Sequence, residues 1–328
     1  SQALAVQGQL NFSRDMEREA DRVGWQVMTG AGYSPGGMAA MFEKLEGSSR
    51  LNDAGGFPYL RSHPLTSERI GEARARLGAA PAAGSVGAYE HTAAQARARV
   101  MMDTRFDALR RWQALDGDRT TGSVADRLAN AYESALASTL LRDWARADAS
   151  IANAFAVVRD AAAPAQPRAE RAVALLNVES LLARGDANRA SAALEPYRAE
   201  GSRPVLLLAS QAALAAVPAP TPGQPLLRQR AAELQTWVAL NPRDSRAWTA
   251  LSQIEERLVQ PLRALRADAE SRFALGDLTG AVDRLKAGQR QARSGGAVDF
   301  IDASVIDARL RDIESVRQQL KADEKAKK

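Results

Sequence analysis

Two stretches of the chain, L-L-A-R-G-D-A-N-R-A-S-A-A-L-E-P-Y at 181–197 and R-F-A-L-G-D-L-T-G-A-V-D-R-L-K-A-G at 272–288, are built alike. Each reads as a helix that stops at Gly-Asp, followed by a second helix that opens on a small residue, Ala190 or Ala281, with Leu194 or Leu285 four residues on. A looser copy, T-L-L-R-D-W-A-R-A-D-A-S-I-A-N-A at 139–154, has Ala147 and Ile151 in those places. Residues 226–254 add a fourth member, in which Trp248 and Leu251 fit the start of a repeat. A helix pair with one open apolar face can bury it only against the next pair, so such a chain is confined to stacked helices. Aromatic residues amount to only 5% of the sequence, which argues against a β-sandwich or barrel. The expected fold is all-α.

A period of about 34 residues, helix–turn–helix units and small residues where helices touch resemble the tetratricopeptide repeat. Pro204 and Pro242, at unit ends, agree with it. The resemblance implies a curved solenoid over 92–320 whose concave face binds protein partners; the alternative is an irregular helical bundle. Thr92 and Gln95 form a capping-box pattern ahead of a long helix carrying Val100, Met101, Leu109 and Trp112. A last helix over 297–320, with Ile301, Val305, Ile306, Leu310 and Ile313, is expected to cap the stack. The lysine-rich 321–328 is expected to be a disordered tail.

The first 77 residues have a different pattern. Ser13 is a plausible N-cap for a helix over 13–29, in which Met16, Ala20, Val23 and Val27 recur at helical spacing and predict one buried stripe. A second helix is expected over Pro35 to Leu45, an irregular stretch over 47–64, and a short helix from Ser67 to Leu77. Residues 78–91 read as a linker, small and aperiodic.

Charge and composition exclude several functions. Residues 1–90 hold nine Lys/Arg against ten Asp/Glu, and the surplus behind the net charge of +5 lies among acids at helical spacing rather than in a block. With few aromatics for base stacking, this is not the profile of a nucleic-acid binder. No run of apolar residues is long enough to span a bilayer. The absence of cysteine rules out disulfides, Cys-based zinc sites and thiol catalysis. The opening S-Q-A-L-A-V-Q-G-Q-L has no signal-peptide pattern, so the expectation is either a cytosolic protein or one whose true N-terminus lies upstream.

The run S-R-D-M-E-R-E-A-D-R-V-G at 13–24 contains E-x-x-A-D, with Glu17 and Asp21 four apart on one helix face. Such a pair can put one carboxylate on a metal while the second holds a ligand histidine. Alone, the spacing is a weak signal and reads first as a solvated acidic face balanced by Arg14, Arg18 and Arg22. Downstream of this helix lie A-G-Y-S-P at 31–35, G-M-A-A-M-F-E-K-L at 37–45, S-H-P-L-T-S-E-R-I at 62–70, and then the helical repeats. This order is similar to the C-terminal half of periplasmic zinc metallopeptidases of the CAAX prenyl endopeptidase-related (gluzincin) family that carry tetratricopeptide repeats.

The resemblance implies that Glu17 is the third zinc ligand of a complete enzyme and Asp21 the partner of a ligand histidine. It leaves His63 either an additional ligand or lid, or a loop histidine bonded to backbone, and gives His91 no chemistry. No H-E-x-x-H occurs in the sequence, so two ligands and the general base are missing. The chain is therefore expected to begin downstream of that motif, as a truncated or cleaved piece with no catalytic residue, no bound cofactor and no activity of its own. The complete protein is expected to be a periplasmic zinc metalloendopeptidase and chaperone, in which a metal-activated water attacks a peptide carbonyl. Its expected partners are outer-membrane protein clients or the β-barrel assembly machinery. The rival is a non-enzymatic tetratricopeptide adaptor. Geometrically, Met16, Val23 and Val27 are expected to pack on the two later helices of this segment, with Glu17 and Asp21 in an open, acidic hollow bordered by His63.

Overall fold

The computed structural model describes residues 2–51, 67–77, 88–117, 122–160, 166–294 and 300–326, and among them there is no strand. The all-α expectation holds. The chain divides into two compact units, residues 1–92 with 161–168, and residues 93–160 with 169–328.

The first unit contains α1 (Gln2–Gly30), α2 (Gly37–Leu51) and α3 (Ser67–Ala75). Helix α1 starts eleven residues before the expected cap, so Ser13 lies inside it. A serine caps only where the preceding backbone leaves the helical region, and A-L-A-V-Q-G-Q-L contains no residue that forces it to. The helix stops at Gly32, whose φ of 82° lets the Tyr33 N–H return to the Met28 carbonyl at 3.1 Å. Ala39 and Phe42 of α2 and Ile70 and Ala73 of α3 form a small core, with Met38, Leu45 and Leu77 packed on it.

Helix α4 (Ala88–Met102) contains the division between the units. Its start at Ala88 puts Thr92 in a helix interior, so the expected capping box with Gln95 does not form. The long helix expected beyond it is interrupted: α5 (Phe106–Gln113) begins after an extended Arg105, and a 3-10 turn over Ala114–Gly117 follows. Then come α6 (Val124–Leu140), α7 (Trp144–Arg159), α8 (Gln166–Ala183) and α9 (Ala187–Leu194), with a 3-10 segment at Glu195–Glu200. Next are α10 (Arg203–Ala216), α11 (Pro225–Leu240), α12 (Ser245–Arg257), α13 (Pro261–Ala274), α14 (Leu278–Ser294) and α15 (Phe300–Ala326). Pro204 opens α10 instead of closing the unit before it.

The repeated Gly-Asp joins helix to helix by two caps in succession. At the end of α8, Gly185 takes φ 84° and the Asp186 N–H bonds the Leu181 carbonyl at 2.9 Å; the Asp186 side chain then accepts from the Arg189 N–H at 3.2 Å to start α9. Gly276 and Asp277 do the same between α13 and α14, with a 2.8 Å bond from the Gly280 N–H to Asp277. The looser copy keeps the geometry without the glycine: Arg142 sits at φ 58° and Asp143 caps α7. A left-handed arginine costs about 1–2 kcal/mol in backbone strain, partly offset by the lower unfolded entropy of a non-glycine residue. Arg142→Gly is therefore expected to stabilise the protein by about 0.5–1 kcal/mol, read as a higher urea midpoint at unchanged m-value. A lower midpoint would mean the Arg142 side chain contributes more than the strain costs.

The small residues at the repeat positions are where helices meet. Ala147, Ala190 and Ala281 are fully buried, and Ile151, Leu194 and Leu285 pack beside them. Helices α8, α9 and α10 share one apolar cluster through Leu181, Leu194 and Val205. A larger cluster joins α10 to α13 around Leu227, Leu234, Trp248, Leu251 and Ile254. Ile306, Leu310 and Ile313 of α15 close the far end against Leu262 and Leu285, while Ile301 is exposed. Helix α15 runs six residues past its expected end at Leu320, to Ala326, into the segment expected to be a tail.

Candidate functional site

Glu17 and Asp21 lie one turn apart on α1, and α3 brings Arg69 to both. The guanidinium Nε and Nη2 of Arg69 donate to the two oxygens of Asp21 at 2.7 and 2.8 Å, a fork-on-fork pair. The remaining nitrogen, Nη1, reaches Glu17 Oε2 at 2.9 Å. The guanidinium also stands 5.1 Å from the centroid of the Phe42 ring on α2, so one side chain ties all three helices together. Asp21 and Arg69 are buried and Glu17 is nearly so. Arg18 extends the connection outward, pairing with Glu68 and, at 3.2 Å, with Glu72.

The acidic hollow expected here is thus occupied by a cation from the protein itself. The burial of α1 also differs from expectation. Met16, Val23 and Val27 are 59%, 43% and 67% exposed, and the inward stripe is Glu17, Asp21, Trp25 and Met28. Both stripes have helical spacing, so periodicity could not choose between them; Arg69 decides it by neutralising the polar one. The close side of the α1–α2 packing is marked by Gly24 and Gly37, where an added Cβ would sit 3.6 Å from Met38 and 3.4 Å from Met28.

Arg69 stands in the S-E-R-I phrase, where nothing along the chain singles it out. The signal for it was the acid pair itself, since two carboxylates on the packed face of a helix require a counter-charge. His63 lies outside the described residues. His91 is exposed on α4.

A zinc ion does not fit the described residues. Catalytic zinc takes about three protein ligands plus an open position, and no group of three or more His, Cys, Asp or Glu side chains is placed to hold a metal among these residues. The two carboxylates that do converge are engaged by Arg69. What the cluster can do as it stands is hold α1, α2 and α3 in register.

Comparison with known proteins bears on the same segment. Residues 1–77 match the family model described as Peptidase family M48. This bears out the metallopeptidase resemblance carried by E-x-x-A-D and the phrases after it. The M48 match ends at Leu77. Over nearly its whole length the chain is also similar to the beta-barrel assembly-enhancing protease of Escherichia coli (strain K12), with 26% identity over 333 residues, covering 96% of this chain. The chain spans 60% of the length of that relative. Two further relatives match over 74 residues, 23% of this chain and 15% of their own length. They are a putative beta-barrel assembly-enhancing protease of Vibrio cholerae, 36% identical, and the beta-barrel assembly-enhancing protease of Yersinia pestis, 38% identical. No helix among the described residues is long and apolar enough to cross a membrane.

Proposed function

We propose that this chain works as part of a periplasmic zinc metalloendopeptidase, with a chaperone role, in the assembly and quality control of outer-membrane β-barrel proteins. The observation that carries this reading is the similarity running through both units, at 26% identity, to a protein whose name joins proteolysis to β-barrel assembly. In that reading Glu17 is a zinc ligand of the complete enzyme, Asp21 orients a ligand histidine, and His63 borders the same site. The other ligands and the general base belong to an H-E-x-x-H motif, which this sequence does not contain. This chain alone is therefore inactive. Residues 92–320 act as tetratricopeptide-like repeats that bind outer-membrane protein clients or the assembly machinery, which the buried small residues at helix crossings support.

Two measurements test the reading. With zinc added, the chain should cleave no casein; cleavage that Glu17→Gln abolishes would show a complete active site within these residues. Deleting the gene that encodes the sequence should lower the level of folded β-barrel proteins in the outer membrane, and a gene copy with Glu17→Gln should restore them only in part. Unchanged β-barrel levels in the deletion strain would overturn the assignment.

A further inference from the structure

The second unit contains a cleft of about 610 Å³ whose walls come from α11, α12, α13 and α15. Val238, Trp248 and Leu251 give it an apolar side. A second cavity of about 320 Å³ adjoins it, and the two share Gln235, Glu255 and Arg263. Together they form an elongated cleft, open to solvent, rather than a closed pocket for one small molecule.

Its charges are unevenly committed. Arg263 Nε bonds Asp302 at 2.8 Å. Arg309 grips Glu270 with two nitrogens at 2.7 and 2.9 Å while lying 4.6 Å over the Phe273 ring. Arg266, the third arginine of the larger cavity, has no hydrogen-bond or ion-pair partner among the described residues, and its Nε is shut off from water. In the smaller cavity Arg228 is exposed and its side chain likewise has no partner among the described residues. Glu255 does not serve Arg266: it is buried and accepts from Gln235 at 3.0 Å, and burial pushes its carboxyl above the usual range.

We propose that this cleft binds an extended segment of a partner protein through acidic side chains that pair with Arg266 and Arg228, with apolar side chains between them on Trp248 and Leu251. Arg266 is half-buried with no acid of the cleft paired to it, and a carboxylate is the group that pairs most strongly with a guanidinium. Nucleic acid is disfavoured because only two of the cleft's arginines, Arg266 and Arg228, are not matched by an acid, too few to track a phosphate backbone. The proposal rests on the reading of the repeats as a partner-binding region and names the chemistry that they select.

The test uses the full chain and fluorescence anisotropy with a labelled, C-terminally amidated octapeptide alternating Asp or Glu with Leu. The acidic peptide should bind in a salt-sensitive manner, and its Asn/Gln counterpart should bind at least about tenfold more weakly. Arg266→Gln should weaken the acidic peptide about tenfold, and Arg228→Gln about threefold, at unchanged melting temperature for the exposed Arg228 variant. Arg311→Gln, exposed on α15 and outside the cleft, should change nothing. Equal binding of both peptides, or unchanged affinity in both cleft variants, overturns the proposal. So does equal binding of a non-amidated Asn/Gln peptide, whose only carboxylate is its chain end. If the Arg228→Gln, Arg266→Gln double variant retains an assembly-machinery subunit as well as the unaltered chain, the cleft is refuted while the wider reading of the repeats stands.

Discussion

Arg69→Met is expected to cost about 3–5 kcal/mol and to loosen the packing of α1, α2 and α3, because it removes the guanidinium that holds the buried Asp21 carboxylate and also pairs with Glu17. The side chain matches much of the volume of arginine and can still rest on Phe42, so lost packing contributes little and the effect is electrostatic. Native-state hydrogen exchange on the full chain would read it as lost protection in α1 and α3, with α11 to α14 unchanged. Adding Asp21→Asn and Glu17→Gln to Arg69→Met should recover most of the loss, since neutral amides are far less costly to bury than unpaired charges. If Arg69→Met leaves protection in α1 intact, the ion cluster is not what orients that helix.

A comparable loss is expected in the second unit from Leu285→Ala. Leu285 has no exposed surface and is surrounded by Leu262, Val282, Ile306 and Ile313. Removing it should cost about 2–5 kcal/mol, the upper end applying if α14 cannot settle into the space. Since α14 packs on its chain neighbours α13 and α15, lost protection should centre on those three helices. Equal loss across α6 to α10 would mean that the unit unfolds as one block instead of by neighbouring pairs. The converse change, Ala281→Leu, should also destabilise, because the fully buried Ala281 leaves no room for added carbons at the helix crossing.

Local chemistry made much of the second unit readable. Gly-Asp at 185–186 and 276–277 specifies a left-handed stop and a side-chain cap within two residues, and neither depends on distant contacts. Even the copy without glycine at Arg142 keeps the cap through Asp143. Small residues four positions before a leucine likewise mark helix crossings wherever the helices happen to stack. Helix starts were less readable: Ser13 and Thr92 have cap chemistry, but the backbone before each stays helical, so the signal was real and the position was not used.

The candidate site shows where reading along the chain stops. By itself the sequence determined an all-α chain, its helix-pair joints, the E-x-x-A-D spacing that puts Glu17 and Asp21 on one face, and the resemblance those residues carry. Only the tertiary structure decided that this face turns inward and that Met16, Val23 and Val27 turn out. It also decided that Arg263 and Arg309 are matched in the cleft while Arg266 is not. The physical reason is the same in both places. A charge can be buried only with its partner, and the partner of Asp21 is 48 residues away along the chain, so helical period alone cannot say which face of α1 is stable inside.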